Sequence, residues 1–109
     1  MSLGLDALAD PTRRRIVEML SERELSAGEI GSGFAMSAPA ISQHLKVLKD
    51  AGLVNVRAQG QHRIHSLNVS GFDEIEAWLH HMRGFWSQRL DALERELHAD
   101  NNDPKKPTA

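Results

Sequence analysis

The stretch that decides the fold is SAPAISQHLKVLKDAGL, residues 37–53. Ser37 is a favourable N-cap, because its hydroxyl can accept a hydrogen bond from a free amide of the first turn. Pro39 is tolerated in that turn, where no backbone donor is needed. Gly52 can adopt the left-handed conformation that ends a helix. The sequence therefore predicts a helix over residues 38–51 with both of its ends marked.

This predicted helix has two chemically different faces. At about 100° per residue, Ile41, Leu45 and Leu48 share one narrow stripe, which predicts the side that packs in the core. The opposite side is equipped for hydrogen bonds to another molecule, and its candidate contact residues, with the start of the helix, are Ser37, Ala38, Pro39, Ser42, Gln43 and Lys46. His44 lies at the border of the stripe, so packing and contact with an anion both remain open for it.

Three shorter helices are predicted before this one. They span residues 3–9, 11–21 and 26–33. Asp10 as N-cap and Pro11 at the first helical position mark the start of the second. Ser26 and Glu29 match the capping box, in which each side chain satisfies the other residue's backbone amide. The third helix, a short turn and the helix that follows Ser37 then make a helix-turn-helix.

A β-hairpin is predicted directly after Gly52, over residues 53–67, with Gly60 at its tip. A helix-turn-helix followed at once by such a hairpin is a winged helix, a more specific pattern than the helix pair alone. The predicted fold class is therefore mainly α with a small β-hairpin. The hairpin carries further candidate contacts towards a DNA backbone or minor groove, which are Arg57, Gln59, Gln61, His62 and Arg63.

The residue types on the outward face of the 38–51 helix suit double-stranded DNA. Gln43 can pair bidentately with adenine, Ser42 can bond to several bases, and the small apolar Ala38 and Pro39 can touch a thymine methyl. Lys46 suits a phosphate. Across residues 36–70, four Lys or Arg stand against one acid, whereas the whole chain has a net charge of −2. A basic central segment in an acidic chain predicts a protein that binds phosphate groups through one surface only.

The last predicted helix covers residues 72–99. Its apolar residues step by three or four, and they are Phe72, Ile75, Leu79, Met82, Trp86, Leu90, Leu93 and Leu97. A helix of about 40 Å is too long for so small a domain to cover. We therefore predict that this stripe packs on the same helix of a second subunit, in a homodimer, with packing inside one chain as the alternative. Residues 100–109 are predicted to be disordered.

Composition excludes several other classes of protein. The chain has no cysteine, which rules out disulfides, thiolate metal sites and cysteine catalysis. No stretch is long and apolar enough to predict a membrane partner, and the expected compartment is the cytoplasm. An enzyme is not predicted, because there is no Gly-rich phosphate loop, nucleophile motif or paired acid cluster. A protein-interaction module built on the same fold remains an alternative to DNA binding.

The chain resembles the ArsR-type (arsenical-resistance repressor-like) winged-helix regulators of bacteria. The matching segments are residues 7–16, 37–48 and 51–54, together with the hairpin centred on Gly60. The resemblance implies a homodimeric transcriptional repressor that occupies an operator and hinders polymerase. Because a dimer presents two recognition helices about one helical turn apart, we expect the operator to be roughly palindromic. The Phe85-Trp86 pair is similar to the subgroup not known as metal sensors. No cofactor is expected, and an unknown small-molecule effector remains open.

The metal sites of this family are incomplete in the sequence. The helix before the recognition helix, residues 26–33, carries no thiolate. The resemblance also implies a second site shared between the last helices of two subunits, and in one register His80, Asp91 and Glu94 fit it. The fourth position of that register is Trp78, which cannot ligate a metal. No metal site is predicted, and a metal-responsive repressor using those three residues is the remaining alternative.

Overall fold

The computed structural model describes residues 3–100, and in this range the chain is mainly helical. The helices are α1 (Leu3–Ala7), α2 (Pro11–Glu22), α3 (Ala27–Gly31), α4 (Ala38–Asp50) and α5 (Asp73–Asp100). The strands are β1 (Leu25–Ser26), β2 (Val54–Gln59) and β3 (His62–Leu67), and a 3-10 turn over Val69–Phe72 precedes α5. The predicted fold class, mainly α with a small β-hairpin, is confirmed.

Side chains and glycines at the element ends hold the helix-turn-helix in place. Ser26 and Glu29 form the reciprocal capping box at the start of α3, with bonds of 2.9 and 3.2 Å. At the start of α4, the Ser37 hydroxyl accepts a hydrogen bond from the Ala40 amide at 3.3 Å. Gly52 follows α4 with φ +79°, the left-handed conformation that the sequence required of it.

Helix α1 is shorter than predicted, because it ends at Ala7 rather than at residue 9. Two side chains from α2 bond to the carbonyls at this end. Arg13 Nε donates to the Ala7 carbonyl at 2.6 Å, and Arg14 Nη1 donates to that of Leu8 at 3.2 Å. These bonds satisfy carbonyls that a continuing helix would have used itself, so the chain turns into α2 without leaving them unpaired.

The sheet has three strands in the order β1-β3-β2, one more than the predicted hairpin. In the added pairing, Leu25 faces His65 and Ser26 faces Ile64 in antiparallel register. A two-residue strand is too short to show the alternation of apolar and polar residues by which a strand is predicted. Its pairing also joins segments about forty residues apart in sequence, so β1 ties the helix-turn-helix to the hairpin.

The core consists of the apolar stripes of α2 and α4 packed against the sheet. Its buried members are Ala7, Ile16, Leu20, Leu25, Ile30, Ile41, Leu45, Leu48, Leu53, Val54 and Ile75. The predicted underside of α4 is buried throughout, and Leu48 is fully inaccessible to solvent. Burial of this stripe fixes the rotation of α4, so that its polar side faces outward.

Two of the residues predicted to lie in a dimer interface pack in or against the core of the single chain. Ile75 is only 7% exposed, and Phe72 is partly buried against the same core. The Ile75 Cδ1 atom lies so close to Gly4 that a Cβ added there would be 3.1 Å away. This packing within one chain shows that the apolar periodicity of a helix does not reveal where its partner changes.

The junction between α4 and α5 is held by close backbone contacts. The Asn68 side-chain amide donates to the Gly52 carbonyl at 2.8 Å, and the Asn68 backbone amide donates to the Leu53 carbonyl at 2.8 Å. The Ser70 hydroxyl donates to Asn68 Oδ1 at 2.9 Å. A Cβ added at Gly71 would overlap the Gly52 carbonyl oxygen. Side chains of the size of alanine or larger are therefore excluded at Gly71 in this arrangement.

The chain divides into two compact units, Met1–Ile75 and Glu76–Ala109. The first contains the core, the sheet and the start of α5. The second is the remainder of α5 as far as residue 100. The tail predicted to be disordered, residues 100–109, lies outside the described residues except for the last position of α5. Among residues 3–100, no helix combines the length and apolar character needed to cross a bilayer.

Candidate nucleic-acid interface

The outward face of α4 is exposed along its length. Ser42, Gln43 and Lys46 are all exposed, and the side chains of Ser42 and Gln43 have no hydrogen-bond partner among residues 3–100. At the start of the helix, Ser37, Ala38 and Pro39 are exposed as well. Because the buried stripe lies directly behind them, these polar groups are held on a rigid element and remain free to bond outside the chain.

His44 is turned towards α2 rather than outward. Its Nδ1 atom lies 3.3 Å from Arg13 Nη1, which can only donate, and 3.9 Å from Asp10 Oδ2, beyond hydrogen-bond distance. Asp10 is itself the N-cap of α2 and accepts from the Arg13 amide at 3.0 Å, a bond that lowers the pKa of its carboxyl. Of the two roles that the sequence left open for His44, these contacts favour packing.

The hairpin of β2 and β3 closes through a two-residue loop, Gly60 and Gln61. Gln59 pairs with His62 across the last rung, and Gly60 has φ +63°. Since Gln61 does not have a positive φ, the signs are those of a type II′ turn, which takes glycine at its first central position. Gln59, Gln61, His62 and Arg63 are all exposed around this tip.

The basic side chains of the two elements differ in how they are paired. Arg57 Nη1 contacts Glu24 Oε2 at 2.5 Å, and Arg57 also donates to Gln59 at 3.1 Å. Lys46 contacts Asp50 at 2.7 Å. These exposed pairs are each worth about 0–1 kcal/mol, so an external phosphate can compete for the cations. Within residues 3–100, the guanidinium group of Arg63 has neither a hydrogen-bond nor an ion-pair partner.

Lys49 is a candidate contact that the sequence prediction missed. It lies three residues after Lys46 and seven after Ser42, on the same side of α4. Its ammonium group has no hydrogen-bond or ion-pair partner in the described part of the chain, and its side chain faces a cavity beside the hairpin. The i, i+4, i+7 spacing of Ser42, Lys46 and Lys49 was present in the sequence, but the pattern alone did not show that this side of the helix stays open next to the hairpin.

The side chains of the alternative metal site do not meet within one chain. His80, Asp91 and Glu94 are all exposed on α5, and Glu94 lies 3.6 Å from His98 Nε2. Among residues 3–100 no three His, Asp or Glu side chains come close enough together to hold a metal ion.

A capped helix with a polar outer face, preceded by a short helix and turn and followed by a basic hairpin, defines a winged-helix DNA-binding regulator. A family model described as bacterial regulatory protein, arsR family, matches residues 10–56, which run from the N-cap of α2 into β2. The chain belongs to the ArsR family of transcriptional regulators, proteins that bind DNA and are not enzymes.

Individual relatives agree with this assignment over most of the chain. An HTH-type transcriptional regulator of Mycobacterium tuberculosis is 39% identical over 97 residues, or 89% of this chain and 88% of the relative. The transcriptional repressor SdpR of Bacillus subtilis is 37% identical over 73 residues, or 67% of this chain and 81% of the relative. A crystal structure described as a possible transcriptional regulator for arsenical resistance superposes with a TM-score of 0.71 at 36% identity. That superposition covers 88% of this chain and 97% of the other.

Proposed function

We propose that this protein is a homodimeric repressor that binds a pseudo-palindromic operator through the major groove. The observation that carries the proposal is the exposed polar face of α4, held outward by the buried Ile41, Leu45 and Leu48. A face of this kind, on a helix of this length, fits the major groove of B-DNA. Its partner is chromosomal DNA, so the protein acts in the cytoplasm.

Within this interface the residues have different roles. Ser42 and Gln43 read base edges, and Ala38 and Pro39 contact thymine methyl groups near the start of α4. Lys46 and Lys49 bind phosphates, and so do Arg57 and Arg63 of the hairpin. Ser37 positions the helix as its N-cap, and Gln59, Gln61 and His62 approach the minor groove or the backbone. We assign His44 to packing against α2, because its ring is turned towards Arg13.

Two copies are needed because one helix makes few base contacts. Beyond Ile75, the single chain exposes large apolar side chains along one side of α5, which include Leu79 at 50%, Trp86 at 55% and Leu90 at 61%. Leu93 and Leu97 continue this stripe. Folded monomers rarely expose continuous apolar surfaces of this kind. We propose that the stripe packs on its symmetric copy and sets the two α4 helices about one helical turn of DNA apart.

Repression is the regulatory outcome that we propose, in keeping with the relative named a transcriptional repressor. Bound at a promoter, a dimer of this size obstructs polymerase. A reporter gene under the selected operator tests the sign of regulation. Lower expression in the presence of the protein is expected, and higher expression would show an activator instead.

The reading of bases by Gln43 is tested by selecting DNA from a random pool with the wild-type protein and with Gln43→Ala. The variant is expected to lose one adenine preference in each half-site, worth about 1–3 kcal/mol of discrimination. Lys46→Ala is the matched comparison, because loss of a phosphate contact weakens binding to all sequences alike. An unchanged preference in Gln43→Ala would refute the base-reading role. Binding unresponsive to salt would argue against phosphate contacts and for a protein-interaction module.

A further inference from the structure

One side chain connects α4 to the junction of α1 and α2. The Nε atom of Arg13 donates to the Ala7 carbonyl at the end of α1 at 2.6 Å. The Nη1 atom of the same guanidinium lies 3.3 Å from Nδ1 of His44, which is 31 residues away in sequence. The His44 side chain is only 19% exposed. The apolar stripe of α4 sets which side of the helix faces outward, and this contact holds the helix against the start of the fold.

The contact between Arg13 and His44 requires an uncharged imidazole ring. A guanidinium group can only donate hydrogen bonds, so Nδ1 must accept this one, and the ring proton is then on Nε2. If Nδ1 gains a proton, two donors of the same charge face each other at 3.3 Å. Histidine is the side chain whose charge ordinarily changes between about pH 5 and 8, so this contact is sensitive to mild acid.

A carboxylate lies close enough to become the partner of a protonated ring. Asp10 Oδ2 is 3.9 Å from His44 Nδ1, so a movement of about 1 Å brings the two atoms to hydrogen-bond distance. Asp10 caps α2 by accepting from the Arg13 amide at 3.0 Å, a bond that lowers the pKa of its carboxyl. The carboxylate therefore stays ionised in mild acid and can accept a second, charge-assisted bond from the ring.

Among residues 3–100, Arg13 and Asp10 are the only charged side chains within hydrogen-bond or ion-pair distance of the His44 ring. The other charged side chains of α4, from Lys46 onward, point at least about 120° away around the helix. Titratable groups on the elements that surround α4 form other contacts or none with the ring, and they include Asp6 of α1, Arg14 of α2, Glu29 of α3, Arg57 of β2, and Arg63 and His65 of β3. Protonation of the ring therefore changes its balance between one cation and one carboxylate.

We propose that Arg13 and His44 are positioning residues for DNA recognition, and that a proton on His44 transfers the hydrogen bond of its ring from Arg13 to Asp10 and weakens sequence-specific binding. Gln43, which we assign to reading bases, directly precedes His44 in α4. A shift of this part of the helix by about 1 Å takes the Gln43 amide out of register with a base edge. The effect on DNA rests on the proposed function, whereas the exchange of partners inside the chain does not.

The first experiment follows the free protein by NMR from about pH 8 to about pH 5.5, the range in which histidine ordinarily changes charge. The His44 ring, the Arg13 Nε–H group and the backbone amides of residues 40–48 are expected to shift together with one midpoint. In His44→Asn, the amide oxygen can replace Nδ1 as the acceptor but cannot gain a proton, so the shifts of Arg13 and of these amides should disappear. The control is His81→Asn, which removes an exposed histidine of α5 and should behave as the wild type.

The second experiment measures fluorescence anisotropy on the selected operator and on an unrelated duplex at constant ionic strength. The readout is the ratio of the two affinities, because the added positive charge strengthens binding to both duplexes. In the wild type this ratio should fall about tenfold between about pH 8 and about pH 5.5, the size expected for one displaced base contact. His44→Asn should keep the high ratio at both values of pH. His44→Lys, with its fixed charge, should show the low ratio at both.

The role of Arg13 is tested by Arg13→Gln in the same assay, with folding checked by circular dichroism. This variant loses the guanidinium that reaches both Ala7 and His44, so its ratio should already be low at about pH 8. A high ratio in Arg13→Gln would show that the contact does not position α4. If the variant does not fold, His44→Asn and His44→Lys decide the question.

A wild-type ratio that does not change with pH, or that falls equally in His44→Asn, would overturn the positioning role. Backbone amides of α4 that stay fixed while the His44 ring titrates would overturn the exchange of partners. The wild-type ratio at about pH 8 tests the proposed function separately. A high ratio that is independent of pH leaves the regulator intact and refutes the inference. No preference for any sequence at about pH 8 refutes the proposed operator and the positioning role together, and the NMR shifts then decide the exchange of partners alone.

Discussion

Helices α4 and α5 both carry an apolar stripe at helical spacing, but only the stripe of α4 is fully buried within the single chain. In α4, Ile41, Leu45 and Leu48 are at most 4% exposed, because α2, α3 and the sheet cover them. In α5, Leu79 and Leu90 are at least 50% exposed in the single chain. The difference lies in the partners that the chain itself supplies. A stripe indicates burial, and the rest of the chain decides whether that burial is internal or requires a second copy.

The largest expected effect comes from placing a charge in the exposed stripe. Leu79→Asp puts two carboxylates into a symmetric interface, because each copy contributes the same residue. Burying an unpaired charge is costly enough to raise the dimer dissociation constant about a thousandfold or more. Sedimentation should then find monomers, and a gel shift should find no operator complex. Gln88→Asp is the control, since it lies about 180° around the helix and adds the same charge.

Two results would contradict the proposed role of the exposed α5 stripe in dimerisation. An intact Leu79→Asp dimer would mean that the stripe of α5 is not the interface. A monomer that still binds its operator with wild-type affinity would mean that dimerisation is not needed for recognition. Either result would be separable from misfolding by circular dichroism, because the core of the unit Met1–Ile75 does not include Leu79.

The next largest effect is expected when one leucine of each stripe is replaced by alanine. Both replacements are made in the monomeric Leu79→Asp background, so that dimer dissociation does not contribute to the measured stability. Leu48→Ala removes a side chain with no solvent exposure and should lower the free energy of unfolding by about 2–5 kcal/mol. Leu90→Ala removes one that is 61% exposed and should change it by less than about 0.5 kcal/mol. Urea denaturation followed by circular dichroism measures both. Equal losses would show that α5 buries its stripe within its own chain.

The sequence predicted those features that depend on local chemistry. Ser26, Ser37 and Gly52 act at short range, and each is found at the helix end for which it was expected. The alternation of residues 53–67 likewise predicted the paired strands β2 and β3. The rotation of α4 followed from its stripe, so the exposed face of the candidate interface was also predictable.

Features that depend on distant parts of the chain were not predictable in the same way. Strand β1 is two residues long and exists because it pairs with β3. Phe72 and Ile75 continue the periodicity of α5 but pack in the first unit, and no local signal marks that change of partner. The cavity beside Lys49 requires α4 and the hairpin to be in place. Which bases the interface reads depends on the DNA, and this chemistry lies outside the chain.

The smallest effects are expected from replacing two glycines by alanine, one on each side of the point where α5 changes from internal packing to open surface. Gly71→Ala sets a Cβ against the Gly52 carbonyl, which is backbone and cannot rotate away, so the variant should lose about 1–3 kcal/mol of stability. Gly84→Ala, in the middle of α5 with nothing near the added Cβ, should instead gain about 0.5–1 kcal/mol. Thermal or urea unfolding gives the two signs directly. If Gly71→Ala were neutral, the close approach of the turn before α5 to the end of α4 would not be needed for the fold. Loss of stability at Gly71 with a gain at Gly84 would locate the change from internal packing to open surface between these two positions.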